Sequence, residues 1–340
     1  MKLTIALDAM GGDHGPTVIV PAAIYTLGKH DGLRLILVGQ ENVLKDVLKK
    51  NGATTNECLT IQHASETVEM HEFPSQVLRY KKDSSMRVAI ELVKNGQAQA
   101  CVSAGNTGAL MATARYILKM LPGIDRPAIC AIMPGIDGQT HVLDLGANVD
   151  SSSEQLFQFA VMGAELTSAV SNKKDPTVAL LNIGAEEIKG NDRVKLAATL
   201  LAESHLNYVG FAEGTDIYTG KMDVIVCDGF TGNVALKASE GIAEFLKCIA
   251  TAQFKGSIYG RLVALISLPM LKAIYRTIDP RSYNGASLLG LRGIVIKSHG
   301  SADKVAFATA IEEAIIEVEK NVPERISSEL EEILTERQKA

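Results

Sequence analysis

The sequence predicts a doubly wound α/β fold, in which one β-sheet carries helices on both faces. Short apolar runs alternate with longer helical patterns along the 340 residues. The short runs are rich in Val, Ile and Leu and lack alternating polar residues, which is typical of parallel strands buried on both faces. Because there is no repeat, low-complexity tract or linker, we expect residues 1–340 to form a single unit with two lobes.

The apolar runs predict ten strands, in the order Leu3–Leu7, Leu33–Val38, Leu59–Gln62, Ala100–Ser103, Ile129–Met133, His141–Leu145, Val178–Ile183, Val209–Ala212, Val224–Cys227 and Ile294–Lys297. Helices are predicted near Pro16, after Ser84, and over Asn42–Lys50, Asn106–Lys119, Ser152–Ser168, Asn191–Glu203, Gly232–Ala252 and Asp303–Lys320. Functional residues are expected where the strands end and loops meet helix N-termini.

The composition limits the class of protein. Hydrophobic residues make up 46% and charged residues 21%, as in a globular protein with a substantial core. The absence of tryptophan, the few aromatic residues and the net charge of −5 argue against a nucleic-acid-binding surface. The five cysteines form no Cys-x-x-Cys motif, which favours a reducing cytoplasm.

Hydropathy predicts a cytoplasmic protein. No stretch reaches the roughly 18 apolar residues that a membrane-spanning helix needs. The N-terminal apolar run is shorter than the hydrophobic region of a signal peptide, and Asp8 interrupts it. Any contact with a membrane is therefore expected to be peripheral.

The segment Ser103–Gly108 (Ser-Ala-Gly-Asn-Thr-Gly) lies between a predicted strand and a predicted helix. Its glycines allow the backbone to approach a ligand, and free amides at a helix start attract anions such as phosphate. Asn106 or Thr107 could cap the helix or donate to a phosphate oxygen. Taken alone, the segment fits an ordinary tight turn with an N-cap equally well.

The usual nucleotide signatures are missing. The chain has no Gly-x-x-x-x-Gly-Lys-Ser/Thr loop, no Gly-x-Gly-x-x-Gly after the first strand and no Gly-x-Ser-x-Gly elbow. We therefore predict no nucleotide or other cofactor. The histidines and cysteines show no metal-ligand spacing, so no metal is predicted either.

The segment from Asp8 to His14 (Asp-Ala-Met-Gly-Gly-Asp-His) follows the first predicted strand and precedes Pro16. Asp8 or Asp13 could cap a helix, orient a neighbouring side chain or bind a metal, and capping is the ordinary role of an acidic residue at such a place. His14 is the histidine that we single out as a candidate for acid–base chemistry.

Three further loops follow predicted strands and carry polar residues. Asp144–Asn148 is the first, and Asn182–Asn191 is the second, in which Lys189 precedes a glycine. Lys189 fits a mobile surface loop, or an ammonium that binds phosphate or stabilises an oxyanion. In the third loop, Asp228–Asn233, the Asn233 amide could cap a helix or donate to a substrate carbonyl.

Residues 254–278 have a distinct pattern, with apolar residues at helical spacing and only basic charges. Because Pro269 interrupts the pattern, we predict two short basic amphipathic helices that form a hairpin. The hairpin could pack in the core or at a subunit interface, or it could lie on anionic lipid or an acidic protein. The residues predicted to make such membrane or partner contacts are Ile258, Leu262, Leu265, Ile266, Lys272 and Arg276.

The motifs together resemble the PlsX family of phosphate acyltransferases. The matching segments run in order along the chain: Asp8–Asp13, Ser84–Met86, Ser103–Ala109, Asp125–Pro127, Asp144–Asp150, Asn182–Gly190, Asp228–Lys237 and Tyr283–Ser287. Small departures are Gly15, where alanine is expected, and the segment Glu213–Asp216.

This resemblance implies an enzyme that converts acyl-[acyl carrier protein] and inorganic phosphate to acyl phosphate and free carrier protein. It also implies a fold similar to isopropylmalate dehydrogenases and phosphotransacetylases with a protruding helical hairpin, a homodimer, and no nicotinamide cofactor. Acyl phosphate would feed phospholipid synthesis through a glycerol-3-phosphate acyltransferase. The hairpin would attach the enzyme peripherally to the membrane.

For this reaction we place Lys189 and Asn233 nearest to the thioester carbonyl and phosphate. The residues expected to bind substrate or phosphate are Asp8, Gly11, Gly12, Asp13, His14, Ser103, Gly105, Asn106, Thr107, Gly108, Asn148, Asp228 and Gly232. Two alternatives stay open: a phosphotransacetylase-like enzyme that uses acyl-CoA, and a non-catalytic membrane scaffold.

Overall fold

The computed structural model describes residues 3–339, except for the side chains of residues 272, 274–278, 280, 334 and 336–339. Eleven strands form one sheet in the order β3-β2-β1-β4-β11-β10-β5-β6-β9-β7-β8. In chain order they are β1 Thr4–Asp8, β2 Arg34–Gly39, β3 Leu59–His63, β4 Ala100–Ser103, β5 Ala128–Pro134, β6 Gln139–Leu143, β7 Val178–Leu181, β8 Tyr208–Ala212, β9 Val224–Val226, β10 Ala286–Leu289 and β11 Ile294–Lys297.

The sheet is mixed, so the prediction of a parallel sheet holds only within its two halves. Strands β3, β2, β1, β4 and β11 are parallel to one another, and so are β6, β9, β7 and β8. Strand β10, which the sequence reading missed, is antiparallel to both β11 and β5, and β5 is antiparallel to β6. The two halves therefore run in opposite directions.

Helices cover both faces of the sheet, as predicted. They are α1 Pro16–Leu27, α2 Glu41–Lys50, α3 Pro74–Tyr80, α4 Ser85–Lys94, α5 Thr107–Leu118, α6 Ser153–Ser171, α7 Asp192–Ala202, α8 Gly229–Lys255, α9 Ile258–Ile278, α10 Lys304–Glu319 and α11 Val322–Lys339. Among these, α3 and α11 were not predicted.

Alternate residues of each strand enter different core clusters, as a strand that is buried on both faces requires. On one face, α3, α4, α5 and the first turns of α8 share a cluster with the strands. On the other face, α1, α2 and α10 cover one half of the sheet, and α6, α7 and α11 cover the other half.

The hairpin protrudes, but its boundaries differ from those predicted. Helix α8 continues to Lys255, and α9 contains Pro269 instead of ending there. The turn lies at Gly256 and Ser257, where the Ser257 hydroxyl accepts a hydrogen bond from the Gly260 amide (2.9 Å). A proline removes one helical hydrogen bond and often bends a helix without ending it. The hairpin thus consists of α8 and α9, and not of two short helices within 254–278.

The outer hairpin exposes many apolar side chains. All residues from 241 to 250 are exposed, and Ile258 and Ile266 of α9 are 87% and 72% exposed. Leu262 and Leu265 are also exposed, whereas the side chains of Lys272 and Arg276 lie outside the described residues. Within residues 3–339, no helix is long and apolar enough to cross a membrane.

Candidate functional site

Three polar side chains form a row across adjacent strands. Asp8, Ser103 and Lys297 end β1, β4 and β11, and the register pairs Asp8 with Ser103 and Ser103 with Lys297. The residues two positions earlier in these strands share one core cluster; they are Ala6, Cys101 and Val295. Since residues two apart lie on the same face of a strand, the three polar side chains project from one face of the sheet.

Asp8 orients two serines at the centre of this row. Its carboxylate accepts hydrogen bonds from the Ser85 and Ser103 hydroxyls, each at 2.6 Å. Burial raises the pKa of Asp8, and the hydrogen bonds from Ser103 and Ser85 oppose this effect. Of the roles considered for Asp8, the structure therefore shows the orienting one, and the N-cap of α1 is Gly15.

Lys297 is a buried cation that the sequence reading missed. Its ammonium donates hydrogen bonds to the carbonyl oxygens of Ala104 and Ser298. Burial lowers the pKa of Lys297 to about 8, and the charges of Asp8 and Asp13 oppose this effect.

A second lysine approaches Lys297 from another element. Lys237 on α8 contributes to the lowering of the Lys297 pKa, so the two ammonium groups lie within electrostatic range of each other. Lys237 is exposed and pairs with Glu240 at 2.8 Å. The two lysines therefore bring positive charge from α8 and from β11 towards the same region.

Both polar groups of the Asn106 side chain make hydrogen bonds within the protein. Its oxygen caps α5 by accepting from the Ala109 amide (3.0 Å), and its amide donates to the carbonyls of Met70 (2.7 Å) and Glu72 (3.1 Å). Of the two roles considered for Asn106, the structure shows the N-cap. Thr107 and Gly108 begin α5, and their backbone amides remain the candidate donors to an anion.

The glycines of the two loops allow close packing. A Cβ on Gly11 would lie 2.6 Å from an Asp8 carboxylate oxygen and 2.8 Å from the Gly105 amide nitrogen. Gly12 has a φ of +84°, and a Cβ there would lie 2.9 Å from the Gly300 carbonyl. Both positions require glycine for the packing of the loops, whether or not a ligand approaches them.

Asp13 and His14 are exposed at the edge of this loop cluster. The Asp13 amide donates to the Gly300 carbonyl (2.9 Å), and the backbone carbonyl of His14 accepts from the Thr17 hydroxyl (2.7 Å). No hydrogen bond or ion pair of the imidazole is found within the described part of the chain.

A second polar cluster centres on the buried carboxylate of Asp144. It accepts hydrogen bonds from the amides of Ile129, Ala147 and Asn148 and from the Asn148 side chain. Burial raises the pKa of Asp144, and these hydrogen bonds oppose the effect. Asn148 also donates to the Pro127 carbonyl (2.8 Å). Its side chain thus holds the loop after β6 together.

The first turn of α8 packs directly on this loop. Asp228 caps the helix by accepting from the Thr231 amide (2.8 Å). A Cβ on Gly232 would lie only 2.0 Å from the Asp144 carbonyl oxygen. Asn233 is exposed and lies over Gly146, and no hydrogen bond of its side chain is found among the described residues. Its amide is therefore available to a ligand.

Lys189 lies in the loop after β7. Its ammonium is half-exposed and lies 3.2 Å from a Glu186 carboxylate oxygen, and its carbonyl accepts from the Asn182 side chain (3.2 Å). Gly190 and Asn182 of this loop border a cavity whose rim also includes Asp228 and Thr231. The loop that carries Lys189 therefore lies beside the N-terminal end of α8, which carries Asn233.

The two groups of loops start close to one level of the sheet. Lys297 pairs with Ala286, Ser287 pairs with Cys130, and Cys130 pairs with Leu143, so β6 ends about one residue from the level at which β4 and β11 end. Because the two halves run in opposite directions, the loops after β1 and β4 leave this level on one side, and those after β6, β7 and β9 leave it on the other.

Comparison with known proteins identifies the family. A family model described as "Fatty acid synthesis protein" matches residues 3–325. A phosphate acyltransferase of Methylococcus capsulatus is 60% identical over 98% of both chains. One from Nitrosococcus oceani is 58% identical over 99% of both chains. The chain belongs to the PlsX family of phosphate acyltransferases. As a member of this family, it is an enzyme of lipid synthesis.

Solved structures with the same fold include other acyl-transferring enzymes. A phosphotransacetylase from Streptococcus pyogenes aligns with a TM-score of 0.62 at 18% identity, over 93% of this phosphate acyltransferase chain and 94% of its own. A branched-chain phosphotransacylase from Enterococcus faecalis gives a TM-score of 0.56 at 14% identity, over 93% and 99% of the two chains. These likenesses confirm the predicted fold class.

Proposed function

We propose that this phosphate acyltransferase uses acyl-[acyl carrier protein] as the acyl donor and inorganic phosphate as the acceptor. A phosphate oxygen attacks the thioester carbonyl, the carbon–sulfur bond breaks, and the thiolate leaves and takes up a proton. The products are acyl phosphate and free carrier protein. A glycerol-3-phosphate acyltransferase would then consume the acyl phosphate in phospholipid synthesis.

One observation supports the phosphate site above the others. Lys297 and Lys237 place two ammonium groups within electrostatic range of each other, beside the loop that begins at Ser103. Phosphate is largely dianionic near neutral pH, since its second pKa resembles the value of about 6 for phosphate monoesters. Both ammonium groups would attract such a dianion, against the opposing charges of Asp8 and Asp13. The backbone amides of Thr107 and Gly108 would add donors at the start of α5.

The chemistry requires little acid–base assistance. The phosphate dianion is already a nucleophile, and a thiol with a pKa near 8.5 is a fair leaving group. The enzyme must orient the reactants and stabilise the tetrahedral oxyanion. We place the thioester carbonyl at the first turn of α8, where the Asn233 amide and the Lys189 ammonium supply donors. This placement is supported by the unpartnered Asn233 side chain and the exposure of Lys189.

The test is to incubate the purified protein with acyl carrier thioester and phosphate, and to assay acyl phosphate. Lys189→Ala and Asn233→Ala should each lower kcat by about 100-fold, the usual effect of removing one oxyanion donor. Lys174→Ala, a change at another exposed lysine, should leave the rate unchanged. Rates within a few-fold of wild type for Lys189→Ala would contradict its assignment. Faster turnover of acyl-CoA would instead favour the phosphotransacetylase-like alternative.

The hairpin is proposed to bind anionic membranes. Helix α8 exposes four apolar side chains at helical spacing, Ile242, Phe245, Leu246 and Ile249, and α9 exposes further ones. Apolar side chains are stabilised when they are buried in the membrane interface, and basic side chains are attracted to anionic lipid. Both effects support membrane binding by the hairpin. The double variant Leu262→Glu/Ile266→Glu should lose binding to anionic vesicles, while Gln253→Glu should retain it. Retained binding in the double variant would assign the surface to a protein contact instead.

A homodimer is proposed as well, from the family resemblance and from this large exposed apolar surface. Light scattering of the purified protein at several concentrations measures its mass directly. A mass of twice 36.3 kDa is expected. A mass equal to one chain at all concentrations would contradict the proposal.

A further inference from the structure

A cavity of about 280 Å³ lies beside the loop that carries Lys189. Its apolar walls come from four elements, namely Leu156 of α6, Leu180 of β7, Val194 of α7 and Val226 of β9. Leu156, Leu180 and Val226 are buried, whereas Val194 is half-buried. The cavity is close to the lower end of the range of about 300–1,000 Å³ that is typical of ligand sites.

The polar groups at the rim already have partners. Asn182 donates to the Lys189 carbonyl, and the Asn191 oxygen accepts from the Val194 amide (3.0 Å) at the start of α7. The Asp228 carboxylate accepts from the Thr231 amide at the start of α8. Side chains of the protein therefore cap both helix N-termini beside the cavity.

An apolar ligand fits these surroundings better than an anion does. The Asp228 carboxylate would repel an anion, whereas it does not oppose an alkyl chain. Interior walls of Leu and Val offer dispersion contacts to an alkyl chain and no hydrogen bond to a polar group. The rim includes Gly190, next to Lys189, where the proposed function places the thioester carbonyl.

We propose that this cavity binds the part of the acyl chain that follows the thioester carbonyl. The proposal rests on the proposed function, because it needs an acyl donor whose carbonyl lies near Lys189. A methylene group is similar in size to a water molecule, whose share of liquid volume is about 30 Å³. The cavity therefore has room for several methylenes of an acyl chain, and chain length should affect binding until the cavity is filled.

Val194 gives the sharpest test, since it is half-buried and lines the cavity from α7. Val194→Phe fills part of the cavity and should lower kcat/KM at least tenfold for a twelve-carbon acyl carrier thioester. The value for a four-carbon thioester should stay within about twofold. Val194→Leu adds less volume and should give a smaller change of the same kind. Leu196→Phe, at an exposed position of the same helix, should change neither value.

The outcomes separate this proposal from the function on which it rests. If wild type forms no acyl phosphate from any chain length, the proposed function fails. If wild type is active but both Val194 variants keep the wild-type ratio between long and short donors, the cavity does not bind the chain. Urea unfolding midpoints of both Val194 variants show whether either has a folding defect. If Val194→Phe does not fold, the milder Val194→Leu provides the test.

Discussion

Gly232 offers a direct test of how α8 is positioned. A Cβ at this residue would lie 2.0 Å from the Asp144 carbonyl oxygen and 2.8 Å from the Cys227 sulfur. Neither atom can move freely, because the Asp144 side chain is held by several hydrogen bonds and Cys227 is buried. Gly232→Ala must therefore push the first turn of α8 away from the loop after β6.

Gly232→Ala should lower the free energy of unfolding by about 3 kcal/mol, which is at the upper end of the usual penalty for inserting atoms into a packed core. The same helix provides a matched control in Gly241, where a Cβ would meet nothing within 4 Å. Gly241→Ala should stabilise the protein by about 0.5–1 kcal/mol, because alanine favours a helix interior over glycine by this amount. The same substitution at two positions of one helix should thus change the free energy of unfolding in opposite directions.

The assay is urea unfolding followed by circular dichroism, together with acyl phosphate formation. Gly232→Ala should lower the midpoint and also the rate, since Asn233 moves with the helix. Gly241→Ala should raise the midpoint slightly and leave the rate unchanged. A neutral or stabilising effect of Gly232→Ala would refute the close packing of α8 on Asp144.

Three further predictions concern other sites. Asn106→Ala should destabilise the protein by about 2 kcal/mol, because it removes the cap of α5 and the hydrogen bonds to the Met70 and Glu72 carbonyls. Hydrogen exchange should show faster opening of residues 66–73. Burial lowers the pKa of Lys297 to about 8, so between about pH 8 and 10.5 this ammonium binds more protons in the unfolded state, and its contribution to the free energy of unfolding should rise by up to about 1.4 kcal/mol per pH unit. Buried cysteines with a raised pKa oppose this contribution, so the measurement is the stability difference between wild type and Lys297→Met, which should shift in favour of wild type over this range. Burial lowers the pKa of His141 to about 4, so the unfolded state gains this proton first as the pH falls from about 6.5, and the contribution of His141 to the free energy of unfolding should fall by roughly 3 kcal/mol by pH 4. Buried carboxyls with a raised pKa, such as Glu313, act in the opposite direction, so the measurement is the stability difference between His141→Leu and wild type, which should shift by this amount in favour of the variant.

Strand positions were predictable because hydrophobic runs reflect burial on both faces. Ala100–Ser103 and Ile294–Lys297 were located at their true ends, and the other eight predicted strands differ by at most two residues at either end. The missed strand, β10, is only four residues long and lies between glycines at 285 and 290. A run this short carries little periodicity, and its antiparallel pairing with β5 and β11 depends on contacts that are distant in sequence.

The arrangement of the site was less predictable than its residue types. Asp8 and Ser103 were correctly placed at neighbouring strand ends, because β1 and β4 are parallel. The opposite directions of the two groups of parallel strands follow from the antiparallel strands β10 and β5, which no local pattern reveals. The sequence indicates Lys297 only weakly, through its position at the end of the apolar run Ile294–Lys297. The carbonyl oxygens that accept from its buried ammonium belong to Ala104 and Ser298.

The most direct test of the account is the phosphate dependence of thioester cleavage. Acyl carrier thioester is incubated with the enzyme and increasing phosphate, and free carrier thiol and acyl phosphate are measured in the same samples. The account predicts that both products form in equal amounts and that neither forms without phosphate. Release of free thiol without phosphate, or without acyl phosphate, would show that water or another group is the nucleophile and would contradict the account.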